Sequence, residues 1–232
     1  LKIDKALIIR RLQVPLSMEY AQICAESCEK YNLPYEFIDA VEFLNCKKAF
    51  QSVGTYKNGN YHIRDGNCCC HASHIKCWKR IIELNKACII LEHDAVVKGN
   101  VCNIDIPDMA TVTFGHRVGS IDDYSPPEEA YKLVRIKRSL GVHACGLTPI
   151  SAKWLWEHAR DNGVKAEVDH LLMMRPPTLL PLYVCEPPQV VCWERVSTSK
   201  FTKDNHIDDR PNETIKVFPE SITEGWKKGK KI

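Results

Sequence analysis

The sequence predicts an α/β fold in which a mixed, mostly parallel central sheet is flanked by helices. Three observations carry that expectation. Apolar runs of strand length occur at Lys5 to Leu12, Cys88 to Leu91 and Thr111 to Phe114. Helical apolar spacing fills Met18 to Tyr31 and His71 to Leu84, between those runs. Near the start, a strand, a helix and a second strand at Tyr35 to Ala40 form a βαβ unit, which requires a parallel pair with a right-handed crossover.

The remaining elements follow in order. The first helix stops at Asn32, Leu33 and Pro34. Phe50 to Asp65, rich in Gly, Asn and Tyr, is expected to be a long loop. The helix from His71 places Ile75, Trp78, Ile81 and Ile82 on one face. Ile121 to Lys132 has the Pro-rich, acidic composition of a surface excursion, and Gly141 to Leu147 that of another strand. Ser151 is positioned to cap a helix over Ala152 to Arg160 that Gly163 ends. Two Pro-flanked strands, Leu179 to Val184 and Gln189 to Cys192, precede a polar tail over 196–232 that packs on the domain or is partly mobile.

Composition narrows the class. A chain of 232 residues, 44% hydrophobic and 26% charged, builds a substantial core. No run approaches the ~20 apolar residues of a membrane span. Leu1 to Leu12 has basic ends and no small-residue cleavage site, so it is expected to be a strand and not a signal peptide. A net charge of +3 does not by itself argue for nucleic acid, and the basic run Lys227-Lys228-Gly229-Lys230-Lys231 is expected to be a solvated terminus. The 12 cysteines include no Cys-x-x-Cys pair and several sit in apolar runs. They predict mostly reduced thiols and a cytoplasmic (intracellular) protein.

The chemistry centres on Ala87 to Lys98. A buried strand there ends in Glu92-His93-Asp94, where α/β sheets bind ligands. In an extended segment Glu92 and Asp94 point the same way. Two hard oxygen donors so placed suit a divalent cation that holds phosphate oxygens. The competing expectation is a strand-to-loop junction with solvated acids. A second dense set, Cys68, Cys69, Cys70, His71, His74 and Cys77, suggests zinc. Three adjacent cysteines cannot all aim at one tetrahedral ion, which argues against it.

Four stretches together resemble glycosyltransferase family 25, which includes lipooligosaccharide and procollagen galactosyltransferases. They are the first strand and helix with Tyr35-Glu36-Phe37-Ile38-Asp39-Ala40; Gly66-Asn-Cys-Cys-Cys-His-Ala-Ser-His74; Ile90-Leu91-Glu92-His93-Asp94-Ala95-Val96; and Gly141-Val-His-Ala-Cys-Gly-Leu-Thr148 with Val168-Asp169. The resemblance implies a single GT-A-like (Rossmann-related) domain over 1–195. It also implies transfer of galactose or glucose from a nucleotide sugar, UDP-linked, to an acceptor hydroxyl with inversion, assisted by Mn²⁺ or Mg²⁺. The acceptor class spans saccharides, protein side chains and modified nucleic acid. The sequence departs from the family at His93, where the pattern has an acid.

On this resemblance Glu92 and Asp94 are the expected metal ligands, with His143 as a third ligand or a sugar contact. Asp169 is the expected catalytic base, against the alternative of a helix N-cap. Ser73, His74 and His93 are expected near the donor, and Arg10 and Arg11 beside the nucleotide at the end of the first strand. A different class of function competes with this one: a degenerate, transferase-like binding or scaffold protein in which His93 abolishes metal binding.

Overall fold

The first strand, β1 (Lys5–Arg10), sends alternate side chains into two separate apolar layers. Leu7 and Ile9 enter one layer, Ala6 and Ile8 the other. A computed structural model describes residues 1–42, 45–59, 63–118, 126, 131–137, 139, 142–174 and 179–193, all within one compact unit, Leu1–Ser199. The tail predicted for 196–232, its basic run, Gly141 and most of the 121–132 excursion lie outside the described residues.

Helix α1 (Pro15–Lys30) starts earlier than its apolar spacing predicts, because Pro15 occupies the first turn, where its missing N–H is no loss. It buries Ala21, Cys24, Ala25 and Cys28 on the Ala6/Ile8 side of the sheet. Asn32 takes the left-handed conformation (φ 51°) just beyond its end. Strand β2 (Tyr35–Asp39) then pairs parallel to β1, with Ile8 opposite Phe37, as the βαβ pattern predicts.

The loop expected from Phe50 gives way at its start to the end of a short helix, α2 (Cys46–Ser52). Asn45 caps it by accepting from the Lys48 amide at 3.0 Å, and Phe50 is fully buried. Helix α3 (Asp65–Leu84) begins before the predicted His71. Asp65 in its first turn accepts from the Cys46 amide at 3.0 Å, tying α3 to α2. Cys46 and Cys68 form a disulfide there, with Cα atoms 5.1 Å apart. The other ten cysteines are thiols, in line with the expectation of mostly reduced cysteines; Cys46 and Cys68 are the exception, because α2 and α3 bring them into bonding range.

Strand β3 (Cys88–Glu92) is central, as expected: β1 runs parallel on one side and β8 (Ala144–Leu147) antiparallel on the other. The sheet continues through β5 (Thr111–Thr113), β9 (Leu182–Glu186) and β7 (Lys132–Ile136). The order is β2-β1-β3-β8-β5-β9-β7. The pairings make five of its seven strands run one way, while β8 and β7 run the other. A second sheet, β4 (Ala95–Val97), β10 (Val190–Trp193) and β6 (Gly115–Val118), was not expected from the sequence.

Helix α4 (Pro149–Asn162) packs beside α2 and α3 on the Leu7/Ile9 face through Ala152, Leu155 and Ala159. Its cap is Thr148, whose hydroxyl accepts from the Ser151 amide, and not Ser151 as predicted. Pro149 sits in the first turn and shifts the start of the helix, which leaves Ser151 inside it, accepting from the Ala110 amide at 3.1 Å. Gly163 ends it at φ 67°. Among the described residues no helix is long and apolar enough to cross a membrane.

Candidate active site

Strand parity places the first member of the site. Cys88 and Ile90 face the layer that holds α3, so Glu92 continues that row at the carboxyl end of β3. On α3, Cys70, His74, Trp78 and Ile81 recur at helical spacing on the face turned to the sheet. The two rows meet at their polar ends. His74 Nε2 lies 3.4 Å from Glu92 Oε1, and the Cys70 thiol donates to the same oxygen at 3.6 Å. The ligand atoms of Cys70, His74 and Glu92 all fall within 4.8 Å of one another.

This meeting point sits where the strand order reverses. From β1 the chain goes to β2 on one side and then to β3 on the other, so the carboxyl ends of β1 and β3 flank a switch point. Ile9 is opposite Glu92 in the register, which brings Arg10 and Arg11 to the same end.

Electrostatics reinforce the grouping. Burial raises the Glu92 carboxyl, but the hydrogen bond from His74 and the charges of His74, His143 and His93 outweigh it and hold the group well below the usual carboxylate range. The Cys70 thiol is pushed well up, first by burial and then by the carboxylates of Glu92, Asp169 and Asp94. Asp94 and Asp169 thus act on the same thiol that Glu92 touches. Burial lowers His93 most, Glu92 raises it and Arg11 lowers it, for a net shift downward.

The other expected residues take varied places. The chain turns at His93 and Asp94 before β4, so the extended geometry that would align Asp94 with Glu92 does not occur. Among the described residues, the trio whose ligand atoms converge is Cys70, His74 and Glu92. His143 is almost fully buried; its carbonyl accepts from the Glu92 amide at 3.0 Å, and its ring lies against Gly115, where a Cβ would overlap it. Arg10 donates to Asp39 at 2.9 Å and stacks 4.4 Å over Phe37, while Arg11 donates to Glu42 at 3.2 Å. Ser73 is buried, accepts from the Val41 amide at 2.9 Å and donates to the Cys69 carbonyl at 2.7 Å. Its hydroxyl fastens α3 to the segment after β2.

Asp169 opens the helical turn before His170–Met174. The segment before it is tied to α3 by His71, whose Nδ1 donates to the Ala166 carbonyl at 2.9 Å and whose ring stacks edge-on with Phe50 and Trp78. Burial pushes His71 down to about 3, so it remains neutral there. Sequence analysis did not select Cys70 as a site residue. The signal was present as its i, i+4 spacing to His74.

Residues 16–113 match the model of Glycosyltransferase family 25 (LPS biosynthesis protein). That span holds Tyr35–Ala40, Gly66–His74 and Ile90–Val96, and ends before Gly141–Thr148 and Val168–Asp169. No curated protein matches the chain. A crystal structure of a glycosyltransferase involved in the glycosylation of the major capsid of PBCV-1 is similar at 12% identity and a TM-score of 0.39, over 81% of this chain and 94% of that one. Over residues 16–113, a little under half of its length, the chain is similar to glycosyltransferase family 25.

Proposed function

We propose that residues 1–195 form a transferase domain that moves galactose or glucose from a UDP-sugar to an acceptor hydroxyl with inversion. The observation that carries this reading is the convergence of Glu92, His74 and Cys70 at the carboxyl ends of β1 and β3, where the strand order reverses. In a direct displacement the acceptor oxygen bonds to the sugar's anomeric carbon as the bond to the UDP oxygen breaks on the opposite face. Asp169 takes the hydroxyl proton as the oxygen attacks. Arg11 and His93 are assigned to the donor side, as residues that follow the carboxyl ends of β1 and β3. Arg10 and Ser73 hold the scaffold through Asp39 and Val41.

Glu92, with Asp94 in the turn that follows β3, would hold a divalent ion, which would neutralise charge on the departing diphosphate when bound. Glu92 is held ionised, and Cys70 and His74 converge on it as further donors for such an ion. The sulfur and nitrogen of Cys70 and His74 suit zinc-type transition-metal ions better than Mg²⁺. The test is UDP release and sugar transfer from UDP-glucose and UDP-galactose by the purified chain, offered saccharide, hydroxylated-peptide and hydroxylated-DNA acceptors. Asp169→Asn is expected to lower turnover by roughly 10²–10⁴-fold. Failure to bind or turn over any nucleotide sugar would contradict the reading and favour the scaffold alternative.

A further inference from the structure

We propose that Cys70, His74 and Glu92 form a three-ligand site for a zinc-type transition-metal ion with an open coordination position. The inference rests on the side chains themselves and does not depend on glycosyl transfer. Two ligands come from one helical face, one turn apart, and the third from the end of the adjacent central strand. Each supplies one donor type that zinc accepts: thiolate, imidazole and carboxylate.

The spacing fits a tetrahedral ion. Bonds of about 2.3 Å to sulfur and about 2.0–2.1 Å to nitrogen and oxygen put tetrahedral N···O and S···O pairs at about 3.4 and about 3.6 Å. His74 Nε2 and Cys70 Sγ stand 3.4 and 3.6 Å from the same Glu92 oxygen. The remaining sulfur–nitrogen separation is within 4.8 Å, against about 3.5 Å in a tetrahedral site, so metal binding draws Cys70 Sγ and His74 Nε2 together.

Charge also balances. Cys70 gives up its thiol proton to solvent on binding, and thiolate and Glu92 carboxylate together neutralise the charge of a divalent ion. His74 is fully buried, whereas the Glu92 side chain is 28% exposed. The open position therefore faces the wet side of the cluster. Three protein ligands plus one exchangeable position is the arrangement of catalytic and not structural zinc. The argument from adjacent cysteines does not apply, since Cys68 is engaged in the disulfide and only Cys70 of the run joins the trio.

The test uses the full chain, stripped with chelator and titrated with Co²⁺ alone. One equivalent is expected to bind with a near-ultraviolet thiolate-to-cobalt charge-transfer band and visible bands of tetrahedral intensity, and Zn²⁺ is expected to displace it. Cys70→Ser should abolish the charge-transfer band and weaken binding at least about tenfold, a cost seen even for outer-shell changes. Cys69→Ser should keep both. Where Cys70→Ser does not fold, His74→Gln serves: it should weaken binding and alter the visible bands. A band that is absent in the wild type, survives Cys70→Ser or ignores His74→Gln overturns the proposal. Co²⁺ binding with these properties and no sugar transfer leaves the metal site standing and removes the transferase reading alone.

Discussion

His74 Nε2 stands 3.4 Å from Glu92 Oε1, linking the middle of α3 to the end of the central strand. The contact holds the carboxylate ionised and aims it at the Cys70 thiol. His74→Ala removes the donor and opens a hole at a fully buried position. The expected cost is about 2–3 kcal/mol, from cavity formation and a lost charge-assisted hydrogen bond. Urea denaturation of the two proteins checks it.

Gly115 and His143 form a second coupled pair. A Cβ on Gly115 would overlap the His143 ring, and His143 in turn accepts from the Glu92 amide. Gly115→Ala should destabilise the fold by about 1–3 kcal/mol through overpacking. In Gly115→Ala/His143→Ala the methyl meets no ring, so the two changes should be non-additive by about 1 kcal/mol or more. A double-mutant cycle by thermal denaturation measures that coupling.

The Glu36 carboxylate accepts from Arg80 Nε at 2.8 Å and Nη2 at 3.1 Å, pinning α3 to β2. Those hydrogen bonds lower its pKa against the opposing effect of burial. A carboxyl depressed in the folded state stabilises above its unfolded value, about 4.3, and that contribution is lost as pH falls through the folded value. Arg80→Met should therefore cost about 1 kcal/mol at pH 7, and the gap from wild type should narrow below about pH 4. Stability measured from pH 7 to pH 3 tests both parts.

The Cys46–Cys68 disulfide closes a 22-residue separation. Loop-closure entropy assigns it about 3 kcal/mol. Reductant, or paired Cys46→Ser and Cys68→Ser substitution, should lower the melting temperature by several degrees, read by thermal denaturation with and without dithiothreitol. Equal melting temperatures would remove the bond from the stability of the fold.

The parts legible in the sequence are those fixed by local pattern. Cys88–Leu91 is apolar without alternation because both its faces are covered, and it proves central. The βαβ unit is legible for the same reason: its helix and both strands carry their own periodicity. The second sheet is not, because β4, β6 and β10 are three or four residues each and pair across long separations. Edge strand β7 is not legible either, because Lys-Leu-Val-Arg-Ile over 132–136 does not alternate and follows an acidic, Pro-rich stretch. At the site, the motifs located Glu92 and His74, but only strand parity against a helix face brings Cys70 to both. The turn at His93–Asp94 and the clearance at Gly115 are decided by tertiary packing, which no spacing rule contains.

The most direct test of the account is a thermal-shift titration of the chain with UDP-glucose, UDP-galactose and UDP, each with Mn²⁺ or chelator, alongside Asp94→Asn. At a hundred times its dissociation constant a ligand adds about 2.7 kcal/mol, a shift of several degrees. The account predicts stabilisation by a UDP-sugar that requires the ion and is weakened in Asp94→Asn. Stabilisation by no nucleotide sugar, with or without the ion, would contradict it.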